Sequence, residues 1–559
     1  MARLDTTIKK VDVLPMVKYY IDELGLYELF DECIPNTNGC DIAPAQALCM
    51  MIMNIVAAPK PLYKIDEWLL DYADGQSEQL DKAGKYNDDC LGRHLERLFR
   101  ADRHVLMSKA SVSAIIVHEL LTDRIHNDST SISFTGAYAN QKPEAIWITH
   151  GYSKDHRPDY KQVVFGLNIT EDGHVPLTYQ LFDGNQADVS THIPNWNSLR
   201  EFLAKEDFVY VADSKLCSIN NLHHIDVNQG VFITLIPKNR KEVKEFYERL
   251  QQGEEINWQE AYSHQHSRKK GKIVKYSIYA EATTWEGYRI VWVHSSSKED
   301  KDRNSRIRRI EKAEENLKEL SGKLNKYRLK SREQIEKALS KARKGSGDFL
   351  QVEIIENKNL ERVKVGSGRP GPDSKYKDKE TISYAIKWQR DAEAIERAEA
   401  SDGVFPLVTN SSLPPVEVLQ IYKKQPFLEK RFYTKKSILE VAPVFLKKNE
   451  RIEAMMFLYF IALMIVSLIE RNIRAQMAEQ KVESLAILPS GMKTKTPTFA
   501  NIQYFFRSLY LAMITRCDKV IQTTIKGVTE KHALVLRLLK VPRQVYDNLR
   551  DGWWNFAYQ

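Results

Sequence analysis

Apolar positions recur with two different periods along the chain, and the change of period divides it. Ala43 to Val56 is an apolar run closed by Pro59 and Pro61, and Asn87-Asp88-Asp89 precedes Leu91, Leu95 and Leu98 at helical spacing. An Asn or Asp side chain at a helix start accepts from otherwise unpaired backbone N–H groups, so residues 1 to about 120 are expected to be helical. They would serve as a DNA-reading domain or as short helices around their own core. From about residue 121 the period shortens to two. Arg124 to Phe134 alternates and is rich in Ser, Thr and Ile, while Gln162 to Ile169 and Val175 to Phe182 flank the turn sequence Glu171-Asp172-Gly173. A helix over Thr191 to Lys205, a short strand Phe208 to Ala212, a further helical stretch and a strand Val231 to Ile236 complete the order β-β-β-α-β-α-β.

That order predicts an α/β fold of ribonuclease-H-like type, with the first and fourth strands side by side in a mixed sheet. A large α+β insertion interrupts it, and helical regions lie at both ends of the chain. The expected division is a helical N-terminal domain at 1–120, the first part of the core at 121–240, the insertion at 241–403, the second part of the core at 404–480 and a helical C-terminal region at 481–559.

Within the insertion, strands are expected around Ile273 to Ala280 and Tyr288 to His294. Residues 303 to 345 then carry Ile310, Leu317 and Leu324 at one heptad position and Ala313, Leu320 and Tyr327 at the other. This stripe fits a helical hairpin folding back through Ile335, Leu339 and Ala342, ahead of a dimerisation zipper. Gly366 to Lys379 is rich in Gly, Pro and Lys without apolar period, as a linker or a phosphate-contacting loop carrying Arg369 would be. Two helices follow Val404 to Val408, about Pro415 to Lys424 and Pro426 to Ile438, with Pro426 in a first turn, where its missing N–H costs nothing. Ala454 to Ile469 is wholly apolar but short of the roughly 20 residues of a membrane span, and Arg451, Glu453, Glu470 and Arg471 flank it. A helix buried on all sides is expected, and no membrane partner.

Composition sharpens this picture in two places. The formal net charge is +8, and residues 301–350 alone hold 16 Lys plus Arg against 8 Asp plus Glu, an excess that points to a polyanionic partner or a solvated charged helix. The cysteines Cys33, Cys40, Cys49, Cys90, Cys217 and Cys517 form no C-x-x-C pair, so a reducing cytoplasm fits better than a disulfide framework or a structural zinc.

The chemistry-bearing candidates are acids. Asp128 falls within the first strand of the core and Asp213 directly after the fourth, in VYVADSK, where two strand ends would bring them together. Glu429 and Lys436 are seven residues apart on one helix face, with Tyr422 seven residues before Glu429. His150, Lys154, Asp155, His156, Arg157 and Asp159 lack metal-ligand spacing and read as a DNA contact or a turn network. His126, on the strand face of Asp128, reads as structural.

The segment Tyr422 to Lys436 resembles the Tyr-Arg-Glu-Lys signature of a large group of bacterial insertion-sequence transposases: Tyr422, Glu429 and Lys436 match, and Gln425 replaces the Arg, with Lys424 as its neighbouring substitute. NDSTSISFTG around Asp128, HGYSKDHRPDYKQ, GNQADVSTH, VADSKLCS around Asp213 and the apolar helix after Glu429 resemble the same group, in particular its subfamily with a long insertion and a helical N-terminal domain. The resemblance implies a three-carboxylate (DDE) transposase, with Asp128, Asp213 and Glu429 holding two magnesium ions (manganese able to substitute) and Asp213 bridging them. It implies nicking, hairpin formation and opening, and strand transfer at terminal inverted repeats, by a homodimer on paired ends in the bacterial cytoplasm. Tyr422, Lys436, Lys424, Gln425, Lys154, Arg157 and Arg369 would contact DNA, and Trp285, ahead of Trp292 and Trp258, would stack a flipped base. The rival expectations are a ribonuclease-H-like nuclease that mobilises nothing and an inactive domesticated DNA-binding protein.

Overall fold

The structure, a computed structural model, describes residues 4–36, 40–72, 85–152, 157–266, 271–326, 329–346, 348–365, 376–434, 446–516, 519–547 and 549. The chain divides into two compact units, one formed by residues 1–234 and 420–559 and the other by 235–419. Sequence reading places Val404 to Val408 with the second half of the core. That strand falls within the residue range of the second unit.

The first unit opens with β1 (Leu4–Lys10) and continues through α1 (Leu14–Glu23), α2 (Leu26–Cys33), α3 (Pro44–Ala57), α4 (Ile65–Asp71), α5 (Asp88–Arg100) and α6 (Arg103–His118). Asn87 caps α5 by accepting from the N–H of Cys90, and Asp102 caps α6 in the same way. Next come β2 (Arg124–Phe134), β3 (Lys161–Thr170), β4 (Pro176–Phe182), α7 (His192–Leu203), β5 (Val209–Ala212), α8 (Ile219–Val227) and β6 (Val231–Leu235). The strands lie in the order β4-β3-β2-β5-β6. β2 is antiparallel to β3, and β5 is parallel to both β2 and β6. The first and fourth strands of the expected order are therefore neighbours.

The second unit holds α9 (Lys241–Gln251), β7 (Gln259–Gln265), β8 (Ile273–Thr283), β9 (Arg289–Ser295), α10 (Ser296–Lys323), α11 (Arg332–Ala342), β10 (Leu350–Lys364), β11 (Tyr376–Arg390), α12 (Ala392–Glu399) and β12 (Val404–Thr409). β12, β9, β8 and β7 pair in that order. The heptad stripe is buried within the unit: Ile310, Ala313, Leu317, Leu320 and Leu324 pack with Ile335 and Leu339 of α11, Leu350 of β10 and Ile386 of β11. The stripe thus serves the hairpin and the ribbon it lies on, and Tyr327 is outside the described residues. Where a linker is expected to run to Lys379, residues 376–379 belong to a 15-residue strand paired throughout with β10. One face of the ribbon's near end alternates, with Leu350, Val352, Ile354, Tyr384, Ile386 and Trp388 packed on the hairpin core, while its far end is largely exposed.

α13 (Pro415–Tyr422) leads back to the first unit, which resumes with α14 (Pro426–Tyr433), α15 (Asn449–Glu479), α16 (Phe499–Phe506), β13 (Tyr510–Arg516), β14 (Lys519–Lys526), α17 (Glu530–Leu538) and α18 (Gln544–Asp547). α15 is long and apolar enough to cross a membrane, yet every residue from Ala454 to Glu470 is buried, against α3, α5 and β4 among others. Two helical expectations need correction. β1 pairs antiparallel with β13, and β13 with β14, so the N-terminal domain begins, and the C-terminal region contains, a three-stranded sheet. The partners lie about 500 residues apart, beyond the reach of any local period.

Candidate active site

β2 supplies the first acid. Its register with β5 ends at the pair His126 and Val211; Asp128 lies two residues beyond the first and Asp213 two beyond the second, directly after β5, and both charges act on the phenol of Tyr210. Each carboxylate is tied to its own turn of chain. Asp128 Oδ1 accepts from the Ser129 N–H at 2.7 Å, and Asp213 Oδ1 from the Lys215 N–H at 2.9 Å. The Asp213 carbonyl also accepts from Thr234 Oγ1 of β6 at 2.6 Å, which fixes the strand end against its neighbour. Both acids are half-buried.

α14 carries Glu429, and two side chains pin this helix. At its first turn Gln425 bridges to β2: its Nε2 donates to the Asn127 carbonyl at 2.7 Å, and its Oε1 accepts from His126 Nδ1 at 2.9 Å. Six residues on, Arg431 donates to the carbonyls of Gly173 and His174, both at 2.9 Å, and to Glu470 of α15 at 2.7 Å. Phe427 stacks on His174 with ring centroids 4.2 Å apart. Gly173 has φ +72°, and a Cβ there would lie 2.5 Å from Arg471 Cβ, so the turn that receives Arg431 needs glycine twice over. Glu429 sits between the two pins, one helical turn from Gln425, and is exposed.

Tyr422, the last residue of α13, lies within electrostatic range of all three acids. Burial raises its phenol above the ordinary value, and the charges of Asp213, Asp128 and Glu429 raise it further, so it stays neutral and able to donate a hydrogen bond. Below it, Tyr210 of β5 is buried and also raised, by burial first and then by Asp213 and Asp128. Asn195 of α7 donates to its hydroxyl at 2.9 Å, Asn195 and Asn168 of β3 exchange two hydrogen bonds, and Asn127 donates to Asn168 at 2.8 Å. This buried polar chain runs from α7 to the residue preceding Asp128. No motif announces it, because its members are spread over four elements.

His126 and His174 are held neutral: burial, then nearby cations, lowers them to about 4 and about 3. For His126 the Gln425 hydrogen bond opposes the fall without reversing it. Lys424 is among the cations depressing both, and among the described residues it has no carboxylate partner.

As placed, no three His, Cys, Asp or Glu side chains among the described residues converge on one point that could hold an ion. Two half-buried carboxylates on adjacent strands and an exposed third on a helix make an open, all-oxygen donor set instead. Magnesium suits such a set, since it keeps several waters and takes one or two carboxylates together with substrate phosphate oxygens.

The remaining sequence candidates scatter. Lys436, Lys154 and Arg369 lie outside the described residues. Arg157 is engaged with Asp159 at 2.9 Å and stacks over Tyr160. The three candidate tryptophans lie in the second unit: Trp292 is buried and stacked 3.7 Å from Phe246, Trp258 is half-buried beside His294, and Trp285 is 71% exposed at the β8–β9 turn. Sequence reading missed Arg431 and Asn195 and gave Gln425 to DNA, whereas both ends of the Gln425 amide are taken by β2.

Comparison with known proteins adds little to this geometry. Residues 6–112 match the family described as a domain of unknown function, DUF4277. No curated protein matches the chain. A solved structure, the cryo-EM structure of piggyBac transposase synaptic complex with hairpin DNA, is similar over 97% of this chain and 84% of that one, at 8% identity and a TM-score of 0.35, a level that assigns no role to any residue here.

Proposed function

We propose that this chain is a DNA transposase of the three-carboxylate type, built on a ribonuclease-H-like core, with Asp128, Asp213 and Glu429 as the metal ligands. The observation that carries the reading is the shared electrostatic environment of Tyr422, whose phenol feels all three acids although they come from three separate parts of the chain. Residues that distant gain nothing for stability from being gathered as like charges, and such gathering is a mark of function. Asp128 and Asp213 would hold magnesium between the strand ends, with Glu429 closing the set from α14. When bound, the ions supply an activated water or 3′-hydroxyl and neutralise the leaving oxygen of an in-line phosphoryl transfer.

The protein's own residues do the rest. Gln425 and Arg431 fix the height of Glu429 above β2. Tyr422, kept neutral, donates to a phosphate oxygen that a phenolate would repel. Lys424 offsets phosphate charge beside the two neutral histidines, and Lys436 extends that contact. The reaction would be excision at terminal inverted repeats, through hairpin ends, followed by strand transfer into target DNA by a homodimer.

The test is magnesium-dependent cleavage and strand transfer with an oligonucleotide duplex carrying the element's own end. Asp128→Asn, Asp213→Asn and Glu429→Gln should each reduce both products to background, and chelation should do the same to the parent. Cleavage at the parent rate in any one variant removes that residue from the site, and cleavage without strand transfer in the parent makes the protein a nuclease.

A further inference from the structure

In the second unit, α10 shows two unlike faces. Ile310, Ala313, Leu317 and Leu320 are buried, and Arg306 is buried with them, bound to Asp402 and Glu399. The opposite stripe, Lys301, Asn304, Ser305, Arg308 and Lys312, is exposed and, together with Arg309 and with Lys344 beyond the end of α11, lines an open groove of about 600 Å³. No carboxylate lines it.

Five of the seven acids of α10 are paired elsewhere, and Glu311, exposed and three residues from Arg308, does not line the groove. Glu299 pairs with Arg303, Asp300 with Lys272, Asp302 with Lys298, Glu314 with Arg390 and Glu319 with Lys323. Lys312 makes only a loose contact, 3.9 Å from Glu315, with both side chains in solvent. Among the described residues Lys301, Arg308, Arg309 and Lys344 have no acidic partner. A helix whose exposed charges only conferred solubility would mix signs at i,i+4, as the rest of α10 does. This stripe is of one sign.

We infer that the α10–α11 groove is a docking track for the sugar-phosphate backbone of duplex DNA, separate from the carboxylate site. Lys301 to Lys312 spans roughly 16 Å of helix, about five base-pair steps of a duplex at 3.4 Å each. Lysine and arginine supply point charges and forked donors to successive phosphates, while Asn304 and Ser305 can donate between them. Such contacts add affinity without reading sequence. The inference rests on the proposed action on DNA.

The experiment measures binding of the full-length protein to a random-sequence 30-base-pair duplex between 50 and 200 mM salt. Every phosphate that the protein ceases to neutralise should reduce the salt slope by about 0.9. Lys301→Gln, Arg308→Gln and Lys344→Gln combined should flatten the slope by about 2 to 3 and weaken binding at least tenfold at low salt, with unchanged thermal melting. Arg308→Lys alone should keep the parent slope. A combined variant within 0.5 of the parent slope overturns the inference. So does a control, Lys318→Gln, Lys337→Gln and Lys341→Gln, that flattens the slope equally, since the attraction would then be general charge. Loss of cleavage in all magnesium assays with the slope change intact would sink the proposed function and leave the groove standing.

Discussion

α15 and α10 are the two longest helices, 31 and 28 residues, and they are stabilised in opposite ways. α15 is apolar around its whole circumference and buried from Ala454 to Glu470. α10 buries one heptad stripe and leaves the rest to ion pairs and solvent. Each also carries one end of a buried ion pair, Glu470 with Arg431 and Arg306 with Asp402. The first helix is a core in itself, to which the acid-bearing α14 is fastened. The second is a surface with a seam on its underside. Desolvation therefore governs substitution everywhere along α15, and only every third or fourth residue of α10.

The largest expected effect is on the fastening. Arg431→Met takes the closest cation from buried Glu470, leaving it Arg474 at 3.4 Å and the Phe499 N–H, and should cost up to about 3–5 kcal/mol, read as a lowered urea midpoint, with cleavage lost because α14 is released at one end. Phe457→Ala in α15 should likewise cost about 3–5 kcal/mol, whereas Leu317→Ala in the α10 seam should cost about 2–5 kcal/mol and leave the first unit's near-ultraviolet dichroism unchanged. If the Leu317 variant perturbs that signal, the contrast between the helices fails.

Acid should distinguish the units next. His94, His118 and His126 are lowered to about 4 and His174 to about 3, in each case mainly by burial, and all four lie in the first unit. A histidine lowered on folding stabilises the native state fully above its unfolded value near 6.5 and loses that contribution as the pH falls toward the folded value. Between about pH 6.5 and 4 the first unit should weaken by up to about 1.4 kcal/mol per pH unit for each such histidine. His126→Gln should flatten that dependence in unfolding curves measured across the range, and an unchanged slope would place its imidazole in water. The smallest effect belongs to the outer face of α10. Glu319→Ala removes an exposed i,i+4 pair and should leave the urea midpoint unchanged.

What could be seen in the sequence follows from the same contrast. The seam of α10 was legible because Ile310, Leu317 and Leu320 keep a helical period, and the order of β2 to β6 because one-sided burial imposes alternation. Asp128 and Asp213 could be paired from that order alone. The β10–β11 ribbon was missed although Tyr384, Ile386 and Trp388 alternate on the face that packs on the hairpin, because its far end is exposed and imposes no pattern, and β1 was hidden because its partner is remote. Gln425 shows what a signature leaves open: the position says that something is held there, and the strand residues His126 and Asn127 that it bonds lie almost 300 residues away in the sequence.

The pairing of Leu4 with Arg516 also bears on how the protein is made. A ribosome adding 5 to 20 residues per second needs roughly 25 to 100 s between those two positions. Throughout that interval the amino-terminal strand has an uncovered edge and the early helices lack their apolar centrepiece, which is itself translated late. The nascent chain thus presents a long-lived client surface for chaperones, and completion of the last hundred residues is the event that closes it.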